Sequence, residues 1–285
     1  MLIQRRRHNM RITVLVENTG PSEFKIEHGL SLYIEFNDKK YLLDAGPSDS
    51  FFKNAHALSI DLGRVDKAVL SHGHYDHGDG FMVFLNQYKD KVVYGSKNIF
   101  DDYYSGSGGS VHYIGLSSKL KQMKNRFNTI SKDTKIDEKI YLILDDVSNT
   151  KEIGVQKKLY KKVDDVLQPD NFDHELSLVF DTPKGLVICN SCSHAGLESI
   201  VDNIKKRLNK PVYAYVGGLH MKSTKNHIET SSFTEEQIQN LRIFIKKNIQ
   251  YVLTGHCTGN VSYDLLKKYL KDRIDFLTTG KTIEI

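Results

Sequence analysis

The residues of this chain best suited to chemistry crowd into one octapeptide, Ser71-His72-Gly73-His74-Tyr75-Asp76-His77-Gly78. Three imidazoles and a carboxylate within six residues form a donor set that suits zinc first, with iron, manganese or cobalt also compatible. His72 and His74 have the i, i+2 spacing that lets two side chains face the same side of an extended segment. Asp76 and His77 lie past the turn and face a neighbouring position, so the spacing points to two adjacent metal positions.

Three later histidines each close a predicted strand. His194 stands in Asn190-Ser191-Cys192-Ser193-His194-Ala195-Gly196, His220 in Gly217-Gly218-Leu219-His220, and His256 in Thr254-Gly255-His256-Cys257-Thr258-Gly259. Ligands of layered α/β folds gather where strands end, and three histidines at equivalent places point to one shared site. Cys189-Asn190-Ser191-Cys192 has CxxC spacing but lacks a second Cys pair. Cys189 therefore reads as a buried strand residue, and Cys192 and Cys257, which flank His194 and His256, as supporting or packing residues, with metal contact by one of them the lesser alternative.

The elements that must position these residues alternate along the chain. Arg11–Glu17 reads as a strand. Leu30–Phe36 and Tyr41–Leu43 read as a hairpin around Asn37-Asp38-Lys39-Lys40. Asp44-Ala45-Gly46-Pro47 is a sharp turn. Ser50–Ile60 has helical spacing, with Ser48 or Ser50 as N-cap. Val65–Leu70 is a short buried strand ending at the histidine loop, and Gly80–Tyr88 is a helix. In the last third, Leu176–Phe180 and Gly185–Asn190 read as paired strands. Ala195–Leu208 is a helix, Pro211–Val216 a strand, and Thr234–Lys247 a helix capped by Thr234. Val252–Thr254, the helix Tyr263–Leu270, and the strands Ile274–Leu277 and Thr282–Ile285 close the chain. Each half runs strands first and helices after, which predicts two sheets packed face to face with helices outside, an αββα arrangement. Between about 97 and 170 the pattern weakens to a glycine-serine loop (Ser105–Ser110), a Lys-rich helical piece (Ser117–Lys124) and a strand at Ile140–Leu144. That stretch reads as an insertion that shapes a substrate pocket within one domain spanning 10–285.

Bulk composition narrows the function classes. The chain has 285 residues, 39% hydrophobic and 26% charged, with a net charge of +5. This mild basic bias is spread along the sequence and gives no nucleic-acid stripe. The densest basic run, Arg5-Arg6-Arg7-His8, reads as a disordered leader over residues 1–9 without the apolar core of a signal peptide. No stretch is apolar enough to span a membrane. Three cysteines argue against a disulfide framework and for a reducing compartment, the cytoplasm by default. Oligomeric state stays open, a homo-oligomer included.

The run HxHxDH at His72–His77 resembles the signature of the metallo-β-lactamase superfamily, and Leu43-Asp44-Ala45-Gly46 resembles its earlier Asp-containing turn. Val14–Asn18, His174-Glu175-Leu176, Cys192–Gly196, Gly217–His220 and His256–Gly259 narrow the likeness to one branch. That branch includes the dihydropterin–ribofuranosylaminobenzene phosphate synthases of methanopterin biosynthesis and many uncharacterised relatives. The resemblance spans about residues 11 to 285. It implies the αββα metallo-β-lactamase fold and one or two divalent cations. A first cation would be held by His72, His74 and His194, a second by Asp76, His77 and His256, with Asp44 supporting the loop without ligating. Many members bridge their metals with an Asp at the end of the strand preceding the final His. Here that place reads Gly217-Gly218-Leu219-His220, with no Asp, which leaves His220 either to take the vacant role or, the favoured reading, to hydrogen-bond the substrate.

These readings imply an enzyme that uses metal-activated water on a phosphate or diphosphate ester. Asp76 would also orient the water, and His174 would be a general acid or substrate clamp. Tyr103, Tyr104, His112 and Tyr113 would stack on a planar ring such as a pterin, and Lys119, Lys121 and Lys124 would meet phosphate. Two alternatives stand beside this reading. One is a transferase joining a dihydropterin methyl diphosphate to an aromatic ribose phosphate. The other is a non-catalytic metal-binding or sensor protein with a closed coordination shell.

Overall fold

The computed structural model describes residues 10–147 and 150–285, so the predicted leader over 1–9 lies outside the described residues. Two seven-stranded sheets carry the architecture. The first runs in the order Thr282–Glu284, Met10–Val16, Ser31–Phe36, Lys39–Leu43, Lys67–Val69, Val93–Ser96, Phe127–Ile130. The second runs Ile274–Phe276, Ile249–Thr254, Val212–Val216, Gly185–Cys189, Leu176–Thr182, Ile140–Leu144, Thr134–Asp137. Both are mixed: antiparallel hairpins occupy one part and parallel strands the other.

The side-chain alternation of each strand sorts its residues into separate apolar layers. Leu32, Ile34 and Phe36 join Leu176, Leu178, Phe180, Val187 and Cys189 between the sheets. Tyr33 and Leu42 face the other way, against Phe51, Ala55, Phe81, Phe84 and Leu120. Val179, Leu186 and Ile188 face Ile200, Ile204, Leu241, Ile245 and Leu266 on the opposite outer side. Three apolar interfaces separate four layers, helix–sheet–sheet–helix, the metallo-β-lactamase arrangement.

Most predicted elements are present with ends shifted by a few residues. The hairpin turn has Asn37 and Asp38 both at positive φ, which matches the twist of the flanking strands. Thr234 caps the helix Glu235–Asn248 in a capping box with Gln237. The helix Ser50–Ala57 differs from expectation: Asp49 occupies its N-cap, and Ser48 instead accepts the Ser50 N–H and contacts Glu27.

The stretch 97–170 is not a single insertion. Phe127–Ile130 completes the first sheet, and Thr134–Asp137 with Ile140–Leu144 edges the second. What stands apart is a four-stranded sheet of Asp102–Ser105, His112–Tyr113, Leu159–Val163 and Val166–Pro169, joined to the helix Lys151–Lys157. Its strands are short and its central pairing joins segments far apart in sequence, so local periodicity could not reveal it. Among the described residues no helix is long and apolar enough to cross a membrane.

Candidate metal centre

Parallel strands of both sheets end at one edge of the sandwich, and the candidate residues lie just beyond those ends. Lys67–Val69 leads to His72, Gly185–Cys189 to Cys192 and His194, Val212–Val216 to His220, and Ile249–Thr254 to His256. The two sheets are tied at this edge, where the Leu176 N–H donates to the Ser71 carbonyl at 2.9 Å.

Asp44 organises the histidine loop from the end of Lys39–Leu43. One carboxylate oxygen accepts the Ser71 N–H at 2.7 Å. The other accepts the Ser71 hydroxyl at 2.7 Å and lies 2.7 Å from His77 Nδ1. Ser71 Oγ is also 2.8 Å from His72 Nδ1. These contacts occupy the Nδ1 atoms of His72 and His77 and leave both Nε2 atoms for the centre. Orientation of a ligand histidine through its other nitrogen is the usual way such rings are fixed.

The imidazoles then fall into two groups. His72, His74 and His194 approach with ring centroids 4.6, 4.9 and 4.9 Å apart. All are buried, and His72 Nε2, His74 Nε2 and both His194 nitrogens have no hydrogen-bond partner among the described residues. Four unpaired buried nitrogens would be a large penalty in a protein that bound nothing there. A divalent cation satisfies them, so the donors fit the metal that the histidine motif implies. Burial lowers the pKa of all three, aided by neighbouring imidazoles: well below normal for His72 and His194, and to about 3 for His74. They are neutral at pH 7, the form that ligates.

The second group is Asp76, His77 and His256. His77 Nε2 lies 3.1 Å from His256 Nε2, and Asp76 Oδ2 lies 3.6 and 3.5 Å from those two atoms. Burial opposes a charge on His77, but the Asp76 and Asp44 carboxylates outweigh it and raise its pKa to about 9. Burial likewise opposes charge on Asp76, yet the His77 charge and the His28 contact hold its carboxyl well below the usual range. The His256 backbone N–H donates to Glu17 Oε1 at 2.6 Å, and its Nδ1 lies 3.0 Å from Asn18 Oδ1. Glu175 does the same service for the first group: its two oxygens accept the N–H groups of His194 and Ala195 at 2.9 and 3.0 Å.

Several expectations need correction. His174 is wholly buried; its Nδ1 accepts the Gly73 N–H at 2.9 Å and its Nε2 lies 3.0 Å from Asp170. With both nitrogens engaged it braces the histidine loop and is placed neither as general acid nor as substrate clamp. Tyr103 is buried as well, donates to the Asn98 carbonyl at 2.6 Å, and packs 3.9 Å from the His174 ring. It is a floor beneath the loop, not a wall for a ligand. Lys121 is paired with Asp102 at 2.6 Å. His112 and Tyr113 are exposed, and Tyr104 packs edge-on against Tyr113 at 5.4 Å. Their segment runs beside the loop, since the Tyr75 N–H donates to the Ile114 carbonyl at 3.0 Å. His220 is half-buried with its ring 4.5 Å from His194, and it belongs to neither group of converging donors.

Two residues were missed by sequence reasoning, and a third sits closer to the centre than its favoured reading placed it. His28 reaches Asp76 Oδ2 at 3.3 Å and packs 4.9 Å from the His256 ring. A lone His before a strand gives no signal. Lys157 donates to the Ser193 and His194 carbonyls at 3.3 and 3.1 Å, and burial lowers its pKa to about 8. Cys192, expected as a packing neighbour, points its sulfur to 3.2 Å from His77 Nε2.

This geometry agrees with a sequence comparison: the family model of the metallo-beta-lactamase superfamily matches residues 26–179. The chain belongs to the metallo-beta-lactamase superfamily. Among curated relatives it is 27% identical to the 7,8-dihydropterin-6-methyl-4-(beta-D-ribofuranosyl)-aminobenzene-5'-phosphate synthase of Methanocaldococcus jannaschii, over 97% of each chain. It is 29% identical to an uncharacterized protein of the same organism, over 87% of this chain and 90% of that one. Among solved structures it resembles Tm1679, described as a metal-dependent hydrolase of the beta-lactamase superfamily, with a TM-score of 0.79 and 26% identity over 97% and 99% of the two chains. The superfamily member thus lies in the branch that holds the pterin synthase.

Proposed function

We propose that the protein is a metal-dependent hydrolase acting on a phosphate or diphosphate ester in a reducing compartment, with zinc the first candidate metal and iron or manganese next. The observation that carries this reading is the clustering of the buried His72, His74 and His194 rings, with unpaired nitrogens, beside Asp76, His77 and His256. Bound divalent metal supplies Lewis acidity and a water nucleophile at neutral pH. Asp76, ionised and near the surface edge of the site, accepts a hydrogen bond from the attacking water and orients it. His220, beside His194, faces the substrate. Lys157 spends two of its three N–H donors on backbone carbonyls, and the third meets a phosphate oxygen. Exposed His112 and Tyr113 form the wall against a planar ring.

A second reading is a transferase in which diphosphate leaves a dihydropterin methyl group while an aromatic ribose phosphate attacks. The near full-length similarity to the methanopterin-pathway synthase favours it. Metal-loaded protein incubated with the dihydropterin methyl diphosphate separates these readings. Diphosphate release from that compound alone supports hydrolysis, and release only with the aromatic partner supports transfer. Tight metal binding with no release in either case supports a non-catalytic metal-binding protein. Elemental analysis should find about two divalent metals per chain, and His74→Ala should lower that content while His220→Ala should not. A parent protein without metal above background overturns all three.

A further inference from the structure

The second group holds too many donor atoms for the protons available. His77 Nδ1 is committed to Asp44, and its Nε2 faces His256 Nε2 at 3.1 Å and Cys192 Sγ at 3.2 Å, with Asp76 Oδ2 at 3.6 Å. One ring nitrogen forms at most one good hydrogen bond along its lone pair or its N–H. The crowding is what a cation between these atoms would produce.

Cys192 also belongs to both metal groups. Its sulfur lies within 4.8 Å of donor atoms of His72 and His194, and within 4.8 Å of those of His77 and His256. It is 3% exposed, and its loop is held firmly: the Ser193 N–H donates to Asn190 Oδ1 at 2.8 Å and Ser193 Oγ donates to the Gly218 carbonyl at 2.7 Å. A bridging carboxylate has no room at Gly217 or Gly218. A Cβ at Gly217, where φ is +142°, would run into the Asn190 carbonyl, and one at Gly218 would strike Cys257 Sγ. His72 Nε2 and both His194 nitrogens are buried without a partner.

We propose that Cys192 is a metal ligand shared by the two positions, its thiolate standing where the chain lacks a bridging carboxylate. Ligation forms a metal–sulfur bond to each cation and releases the thiol proton to solvent. This rests on the metal-binding reading above and adds sulfur to its donor set. Soft sulfur would favour zinc over manganese at the centre.

X-ray absorption of the zinc-loaded, unmodified protein tests this without any variant. A sulfur shell near 2.3 Å with about one sulfur per zinc is the expected result. About half a sulfur per zinc at full occupancy overturns the shared ligand, and none overturns ligation altogether. The cobalt-loaded protein gives a second readout. The parent should show a sulfur-to-cobalt charge-transfer absorption that Cys192→Ser abolishes while Cys257→Ser and Cys189→Ala keep it. Retention in Cys192→Ser, or loss in Cys257→Ser, overturns the assignment. Failure of the parent to bind zinc or cobalt would instead sink the metal reading beneath it.

Discussion

The two candidate metal positions are built on opposite electrostatic plans. The first is buried and has no carboxylate among its donors: three neutral imidazoles, every contributed Nε2 unpaired, with Glu175 spending its charge on backbone N–H groups behind His194. The second is braced by acids: Asp44 and Asp76 hold His77 charged, and Glu17 and Asn18 grip His256. The second is partly compensated without a cation, since its histidine and carboxylates pair with one another, although His77 Nε2 stays crowded between His256 and Cys192. The first position needs its ligand more, and the second must shed a proton to take one.

Asp44 is the exception that joins them, because it holds both Ser71, which orients His72, and His77. Asp44→Ala should therefore have the largest effect, abolishing binding at both positions. It leaves buried donors facing nothing, at a cost to stability of about 3–5 kcal/mol. Elemental analysis with urea unfolding checks this. A variant that keeps one full equivalent of metal would break the idea that a single carboxylate serves both sides.

The contrast sharpens with a matched pair of milder changes. Glu175→Gln keeps one acceptor of two behind His194, and Glu17→Gln does the same behind His256. Each should weaken its own position by about 10–100-fold in metal affinity and leave the other near the parent value. Calorimetric titration resolves the two events. Equal losses at both positions from either variant would show that the positions are coupled too tightly to be treated apart.

How much of this was legible depended on where the donors lie in the chain. His72–His77 is contiguous, so type and spacing exposed it directly. His194 and His256 were readable because each follows an apolar strand and a small-residue turn. Cys192 sits in the same kind of segment, but only the fold swings its sulfur toward His77, 115 residues away in sequence. His28 has no periodic context at all. The strands of the outlying four-stranded sheet failed for a related reason: Leu159–Val163 carries consecutive lysines and pairs with Asp102–Ser105. Their stability comes from distant pairing, which no local pattern records.

The smallest expected effect concerns a further acid near the first position, which acts at one remove. Asp170 accepts the Phe172 N–H at 2.8 Å and, through His174, holds the Gly73 N–H between the two candidate ligands His72 and His74. Because His174 Nδ1 accepts from Gly73, its Nε2 carries the hydrogen that Asp170 receives. Burial opposes the Asp170 charge, but the His174 interaction and the Phe172 N–H outweigh it and lower its pKa. A depressed carboxylate contributes stability above its unfolded pKa of about 3.9, and that contribution fades as pH falls through the lower folded value. Asp170→Asn can satisfy only one of the two donors, so metal-free protein should lose about 1–3 kcal/mol at neutral pH. The gap between parent and variant should then narrow toward about pH 3, because only the parent has a charge there to lose. Protonation of imidazoles remote from Asp170 destabilises both proteins alike and cancels in the difference. A gap equally wide at both pH values would mean that the Asp170 charge does nothing for the loop, and that the first position has no acid behind its histidine ligands beyond Glu175 and the shared Asp44.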